Sequence, residues 1–359
     1  MNPTFHKLEV IDIRRETEDA VSFAVGVPEE LKDNFKYQPG QYLTFKMDFD
    51  GEELRRSYSI CSGINDKELR VAVKEVPNGR FSTYANRKLK VGDMLDVMTP
   101  IGNFTTEVDS KTDKSYVFFA AGSGITPVLS LVKTILTTAP KSDVTLFYGN
   151  KGIDSVIFQE ELEALKNEHM DNFRLMHVFS RESIGNKLQK GRLDHEKIEI
   201  LYDVILKSQD IDEIFVCGPE PIIYAVKETF EKFGFDKNKV HFELFTTPTR
   251  GEKKEHTGRD HSNEPQINAN VKVILDGEQT LIALDSDGDS ILEAAQKAGA
   301  DVPFACKGGV CCTCKAKILE GSAKMDVNYA LEDDEVDAGY ILTCQAHPTS
   351  DKLVVSYDD

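Results

Sequence analysis

Cys306-Lys307-Gly308-Gly309-Val310-Cys311-Cys312-Thr313-Cys314, followed by Cys344 after 29 intervening residues, decides how this chain is read. The intervals between Cys306, Cys311, Cys314 and Cys344 are the plant-type spacing of a [2Fe–2S] cluster, in which four thiolates hold two irons. Short intervals let three ligands come from one turn of backbone. Gly308 and Gly309 free that turn to aim amide N–H groups at sulfur, which tunes a cluster's potential. Cys312 is supernumerary and is expected to face away. Zinc is the rival reading, although a structural zinc site usually recruits two close Cys/His pairs and Cys344 has no near companion.

Working outward, the loop lies in a distinct stretch of chain. Residues 269–359 hold five of the seven cysteines and carry 17 acidic against 7 basic residues, whereas residues 1–268 carry 44 against 36. More than half of the net charge of −18 therefore sits in the last quarter, which predicts a separate acidic module. The acid-rich run at 332–335 reads as a solvated face able to steer a partner. A charge of this sign argues against non-specific nucleic-acid binding and against attraction to anionic lipid. The first residues show no basic end followed by an apolar run, and no apolar stretch approaches the roughly 18 residues that span a bilayer. No membrane association and a cytoplasmic location are expected. Stable disulfides are not expected there, so clustered cysteines point to metal.

A length of 359 residues calls for two or three domains. Residues 246–266 lack the apolar side chains a core needs and read as a solvated tether, spanning roughly 25 Å if it behaves as a flexible coil. Before it, residues 5–104 show short alternating apolar runs punctuated by Pro39-Gly40, Asp50-Gly51, Asn78-Gly79 and Gly92-Asp93. That rhythm predicts an antiparallel barrel or sandwich. From 114 to 245 the units lengthen. Apolar strands at 116–121, 144–148, 174–179 and 214–217 alternate with helices at 127–136, 158–168 and 221–233, a β-α-β pattern with a parallel sheet. After the tether, 271–275 and 280–284 read as a hairpin around Asp276-Gly277, with a helix at 290–298. The expected divisions are 1–108, 109–246, a linker at 247–268, and 269–359.

Two further segments carry chemistry. Ala120-Ala121-Gly122-Ser123-Gly124-Ile125-Thr126-Pro127 follows an apolar strand and opens a helix, with Pro127 suited to the first helical position. Its N–H groups and the helix dipole would cradle a pyrophosphate, or the segment is an ordinary tight turn. Arg56-Ser57-Tyr58-Ser59 places an aromatic ring between a cation and hydroxyls, fit to stack on a planar cofactor. Gly79-Arg80-Phe81-Ser82 offers N–H groups to the same ligand, or is a turn glycine leading into an exposed strand face. The eight histidines form no metal-ligand pair, and no nucleophile elbow is present.

Read together, these segments resemble the ferredoxin–NADP reductase family joined to a plant-type ferredoxin domain, over essentially the whole chain. The resemblance implies an antiparallel β-barrel that binds FAD, an α/β domain that binds the nicotinamide nucleotide, and a β-grasp-like [2Fe–2S] domain. It implies that Arg56 holds the flavin pyrophosphate, Tyr58 stacks on the isoalloxazine, and Ser57 and Ser59 lie beside them, with Ser59 near the reactive nitrogen. Val73, Lys74, Gly79, Arg80, Phe81 and Ser82 match FAD-contact segments. Gly122, Ser123, Gly124, Thr126 and Pro127 match the nicotinamide pyrophosphate turn. Cys217-Gly218-Pro219 matches the nicotinamide-side motif, and Glu243 and Phe245 belong to the segment closing on the flavin. Ser180 and Arg181, aided by Arg192, fall where the adenosine ribose is met and favour the 2′-phosphate of NADPH. In phthalate-type relatives FMN replaces FAD.

The activity implied is an oxidoreductase that takes electrons from NADPH through FAD and the cluster to a partner. No residue is needed as an obligatory acid or base. The expected partner is a di-iron oxygenase, the phenylacetyl-CoA epoxidase of phenylacetate catabolism foremost, with another hydroxylase, a desaturase or a hybrid-cluster protein as alternatives. The non-enzymatic rival is an iron–sulfur carrier or redox sensor.

Overall fold

The computed structural model describes residues 4–182, 186–245 and 267–358, so the expected tether lies almost entirely outside the described residues. The chain divides into two compact units, the first built on residues 5–54 and 58–245, the second on the C-terminal segment with Thr4 and residues 55–57 grouped to it. Among the described residues, no helix is long and apolar enough to cross a membrane.

The first unit begins with six antiparallel strands. They are β1 (Phe5–Thr17), β2 (Ala20–Gly26), β3 (Tyr42–Phe49), β4 (Glu52–Ser59), β5 (Leu69–Lys74) and β6 (Met94–Met98), in the order β4-β3-β6-β1-β2-β5. The two edges meet where Ile60 bridges Val71, which closes the sheet into a barrel. Register shifts in β1 near Val10 and Arg15 supply the local bending that closure needs. Alternation does the rest: Leu8, Val10, Phe23, Val25, Leu43, Phe45, Val71 and Val73 point inward and are buried. Helix α1 (Arg80–Arg87) plugs one end with Phe81 and Ala85. The strand face anticipated after Asn78 is therefore this helix. Asn78 does take the left-handed turn conformation, and Gly79 becomes the cap.

A five-stranded parallel sheet follows. Its strands are β7 (Ser115–Ala121), β8 (Asp143–Asn150), β9 (Phe173–Phe179), β10 (Glu213–Gly218) and β11 (Val240–Leu244), in the order β11-β10-β7-β8-β9. Helices α2 (Ile125–Thr138), α3 (Gln159–Glu168), α4 (His195–Leu201) and α5 (Glu220–Lys232) connect them. A π-helical turn over Tyr202–Leu206 extends α4. Helix α4 was not anticipated, although Asp194 caps it by accepting from the Lys197 N–H at 3.0 Å. Pro127 is the third residue of α2, not the first; it still falls in the opening turn, where its missing N–H costs no intrahelical bond.

Helix α2 is buried almost all round because it packs on the sheet and on the barrel at once. Ser130 Oγ donates to the Ser62 carbonyl at 2.7 Å, and the Ile64 N–H donates to Thr134 Oγ1 at 3.2 Å. Barrel residues Ala20, Cys61, Ala72 and Phe104 share one apolar cluster with the sheet. That shared core is why barrel and sheet form a single compact unit.

The second unit has β12 (Asn268–Leu275), β13 (Glu278–Asp285), α6 (Ile291–Lys297), β14 (Lys315–Glu320), β15 (Ala323–Met325), α7 (Asp333–Asp337), β16 (Tyr340–Leu342), β17 (Ala346–Pro348) and β18 (Lys352–Ser356). Five strands form a mixed sheet, β13-β12-β18-β14-β16, in which the first strand pairs in parallel with the last. Helix α6, capped by Ser290, covers it through Ile291, Leu292 and Ala295. This is the β-grasp-like arrangement expected. The hairpin around Asp276-Gly277 is present in full register.

Candidate functional site

The parallel sheet runs outward from β7 to β9 and then restarts at β10 on the other side of β7. Ligands of open α/β sheets bind at such a switch point, beyond the carboxyl ends of the strands. The glycine turn leaves β7 and Cys217-Gly218-Pro219 leaves β10, so both candidate segments stand at that place. They touch through backbone. A Cβ on Gly124 would overlap the Cys217 carbonyl, so glycine is required for the two turns to approach. The turn is held from below by the Tyr148 hydroxyl, which donates to the Gly122 carbonyl at 2.9 Å, and by Thr126 Oγ1, which donates to the Ser123 carbonyl at 3.0 Å. Tyr148 was not singled out from sequence. A polar-tipped ring ending an apolar strand was its only signal.

On the neighbouring strand, Glu243 pairs in register with Cys217. Its carboxylate accepts a hydrogen bond from Ser59 Oγ at 3.0 Å, across 184 residues of sequence. Burial pushes the Glu243 carboxyl up to about 8, and the Ser59 hydrogen bond only partly opposes this. The residue as a whole keeps some open surface, while packed protein surrounds its carboxyl. The Cys217 thiol is fully buried and is also pushed well up, by burial first and by Glu243 second, so it stays a thiol. Four segments distant in sequence thus converge at Ser59, Gly124, Cys217 and Glu243. Phe245, just past β11, is exposed.

The barrel presents the other candidates around β4 and α1. The Tyr58 ring lies 5.3 Å from Phe81 and 6.1 Å from Phe45, with part of its surface open to receive a planar group. Arg56 is exposed, its Nη1 donating to the Arg55 carbonyl at 2.7 Å, and Ser57 is half-buried beside it. Gly79 opens α1, where the N–H groups of Arg80, Phe81 and Ser82 precede any intrahelical acceptor. Arg80 is engaged by Glu52 at 2.5 Å and by the Phe49 carbonyl at 2.6 Å. Ser82 Oγ accepts from the Val76 N–H at 3.2 Å. Val73 faces the barrel core and its carbonyl accepts from Asn86, leaving Lys74 as the outward residue of that pair. An open ring, a cation and a helix N-terminus fit a flavin with its pyrophosphate.

At the far edge of the sheet, Ser180 and Arg181 follow β9 and are exposed. A parallel bridge between Phe179 and Lys190, with the Gly191 N–H donating to the Phe179 carbonyl at 2.9 Å, lays 190–192 beside 179–181. Arg181, Lys190 and Arg192 therefore sit on adjoining segments. Exposed cations on adjoining segments suit a phosphate.

In the second unit, the four expected thiols meet. Cys311 Sγ lies 3.1 Å from Cys306 Sγ, and the Gly308 N–H donates to Cys306 Sγ at 3.3 Å. Hydrogen bonds from Cys311, then from Cys344, and from the loop N–H groups hold the Cys306 thiol well below its ordinary range. Cys344 is pushed far up by sharing protons with Cys306 and Cys314. Among the described residues, no three His, Cys, Asp or Glu side chains converge as ligands of one metal ion. The sulfurs are linked in one run, Cys311 to Cys306, Cys306 to Cys344 and Cys344 to Cys314, and a set of four thiols suits two irons. Behind them Thr343 Oγ1 donates to the Cys314 carbonyl at 2.9 Å and meets the buried Tyr357 hydroxyl at 2.7 Å. Cys312 is half-buried against the core of this unit.

Comparison with known proteins agrees with this order of parts. Residues 7–106 match the oxidoreductase FAD-binding domain, 118–228 the oxidoreductase NAD-binding domain, and 273–349 the 2Fe-2S iron-sulfur cluster binding domain. The chain is 41% identical to a subunit of the 1,2-phenylacetyl-CoA epoxidase of Escherichia coli (strain K12), over 99% of this chain and 98% of that one. It is 32% identical to the ferredoxin reductase component of 3-ketosteroid-9-alpha-monooxygenase from Rhodococcus rhodochrous, over 98% and 96%. Among solved structures, phthalate dioxygenase reductase shares the fold with a TM-score of 0.58 and 24% identity, covering 98% of each chain.

Proposed function

The chain belongs to the ferredoxin–NADP reductase family with a C-terminal 2Fe-2S domain, as a reductase component of oxygenase systems, and from that premise we propose that it draws electrons from NADPH for a phenylacetyl-CoA epoxidase. The observation that carries the partner is the 41% identity to the Escherichia coli epoxidase subunit, sustained over nearly the full length of both chains. A nicotinamide gives two electrons as one hydride, a [2Fe–2S] cluster takes one at a time, and a flavin handles both, which is the chemistry these groups supply when bound.

The chain's own residues do the positioning. Arg56 and the first turn of α1 receive the flavin pyrophosphate, and Tyr58 receives the ring system. Gly124 and Cys217-Gly218-Pro219 let backbone close on the nicotinamide nucleotide. Ser59 and Glu243 form the polar edge where the two ligands approach; Glu243 keeps its proton up to about pH 8 and holds Ser59 in one orientation. Arg181 and Arg192 supply the cations that select a 2′-phosphate. Cys306, Cys311, Cys314 and Cys344 are the cluster ligands. Domain limits at 108, 246 and 268 follow from the same reading. A cytoplasmic place of action goes with this reading, since cysteines gathered at a cluster need a reducing compartment to stay unpaired.

Reconstitution tests the proposal. The chain, NADPH and phenylacetyl-CoA are combined with the oxygenase component of a phenylacetyl-CoA epoxidase that lacks its own reductase. Epoxide formation coupled to NADPH oxidation is expected. Turnover with a steroid or betaine oxygenase component, and none with the epoxidase, overturns the partner.

A further inference from the structure

Three of the four cluster cysteines share one loop, but Cys344 arrives from the turn between β16 and β17. Thr343 ties that turn to the far end of the loop at Cys314, and Gln345 ties it to the near end. Its Nε2 donates to the Lys307 carbonyl at 3.2 Å and to the Cys344 carbonyl at 3.0 Å, and it lies 3.8 Å from Cys344 Sγ. One side-chain amide thus spans the loop of the first ligand and the residue of the last.

The side chain has little freedom to do otherwise. The Gln345 N–H donates to the Leu342 carbonyl at 2.9 Å, and its own carbonyl accepts from the Asp326 N–H at 2.8 Å. Gly309, at φ +74°, packs so closely that a Cβ there would stand 3.2 Å from Gln345 Cγ and 3.0 Å from the Val327 carbonyl. The glycine lets the loop close over the glutamine.

We propose that Gln345 is a positioning residue for the cluster: its carboxamide holds Cys344 against the 306–311 loop and, by sharing one N–H between the Cys344 carbonyl and the Cys344 sulfur, raises the reduction potential. Reduction adds one electron, and the extra negative charge spreads onto the ligand sulfurs. An N–H donor at such a sulfur stabilises the reduced form more than the oxidised form, so the potential rises. The inference rests on the four-cysteine assignment above.

Two substitutions in the full-length holoprotein test it. Gln345→Met fills the same space beside Gly309 without a donor. Gln345→Glu keeps the shape, loses the donor and adds negative charge. Redox titration followed by electron paramagnetic resonance is expected to give a midpoint more negative than wild type for Q345M, and more negative still for Q345E. Wild-type midpoints in both variants overturn the proposal whatever fraction of chains carries a cluster, because the signal follows assembled cluster only. Failure of both variants to assemble any cluster upholds the holding role and overturns the role in the potential, leaving Gln345 purely structural. A wild-type protein with no plant-type [2Fe–2S] signal sinks the ligand assignment itself, which separates the two failures.

Discussion

Glu243 shows how one residue joins two regions of the first unit. Its carboxyl is pushed up to about 8 from an ordinary 4.5, so the folded chain keeps a proton that the unfolded chain has already lost. Across roughly pH 4.5–8 the folded state binds more protons, and stability falls as pH rises through that window. Glu243→Gln keeps the acceptor for Ser59 and has no proton to lose. Its melting temperature is expected to drop less than the wild type's between pH 5 and 8, by a few degrees in scanning calorimetry. Parallel curves would place the proton elsewhere. Arg181 is the second test at this scale. Arg181→Leu removes a cation from the proposed 2′-phosphate site, so kcat/KM for NADPH is expected to fall about 10–100-fold, the worth of a charge-assisted contact of roughly 1.5–3 kcal/mol. The value for NADH is expected to hold; an equal loss for both would remove Arg181 from cofactor choice. The serine and the arginine were legible as candidates from sequence, each in a short motif. That Ser59 would reach Glu243, 184 residues away, was not.

At the scale of elements, the turn between β7 and α2 meets the turn after β10 with no room between them. Gly124→Ala would drive a methyl group into the Cys217 carbonyl, which is backbone and cannot step aside. We expect a loss of about 1–3 kcal/mol in urea denaturation and a weaker nicotinamide nucleotide affinity, as the mouth of α2 is forced off β10. An alanine variant with unchanged stability would mean that the two turns part freely. The strands here were readable because buried parallel strands are continuous apolar runs, as at 116–121. Helix α1 was not, because 80–87 alternates small, aromatic and polar residues, and only packing on the barrel end makes a helix of it. Helix α4 is short, and its neighbours are the π-helical turn that extends it and α5.

For the whole molecule, the proposed function makes the iron–sulfur unit the exit for electrons. Cys344→Ser in the full chain is expected to abolish electron delivery to a one-electron protein acceptor while NADPH-driven ferricyanide reduction persists. If both rates fell together, the cluster would not be the exit. What the sequence by itself determined was the inventory: a four-cysteine spacing, a glycine turn, a ring between cation and hydroxyls, and an acidic C-terminal module. Those features are local, because ligand spacing and turn chemistry are set by neighbours in the chain. Tertiary structure alone decided which of them meet. The barrel and the parallel sheet bury a common apolar surface through α2, and that packing draws Ser59 to Glu243 and Gly124 to Cys217. The mixed sheet of the second unit likewise brings Gln345 back to Lys307, 38 residues earlier. Contacts at such separations are chosen by burial and register, and no local pattern of residues encodes them.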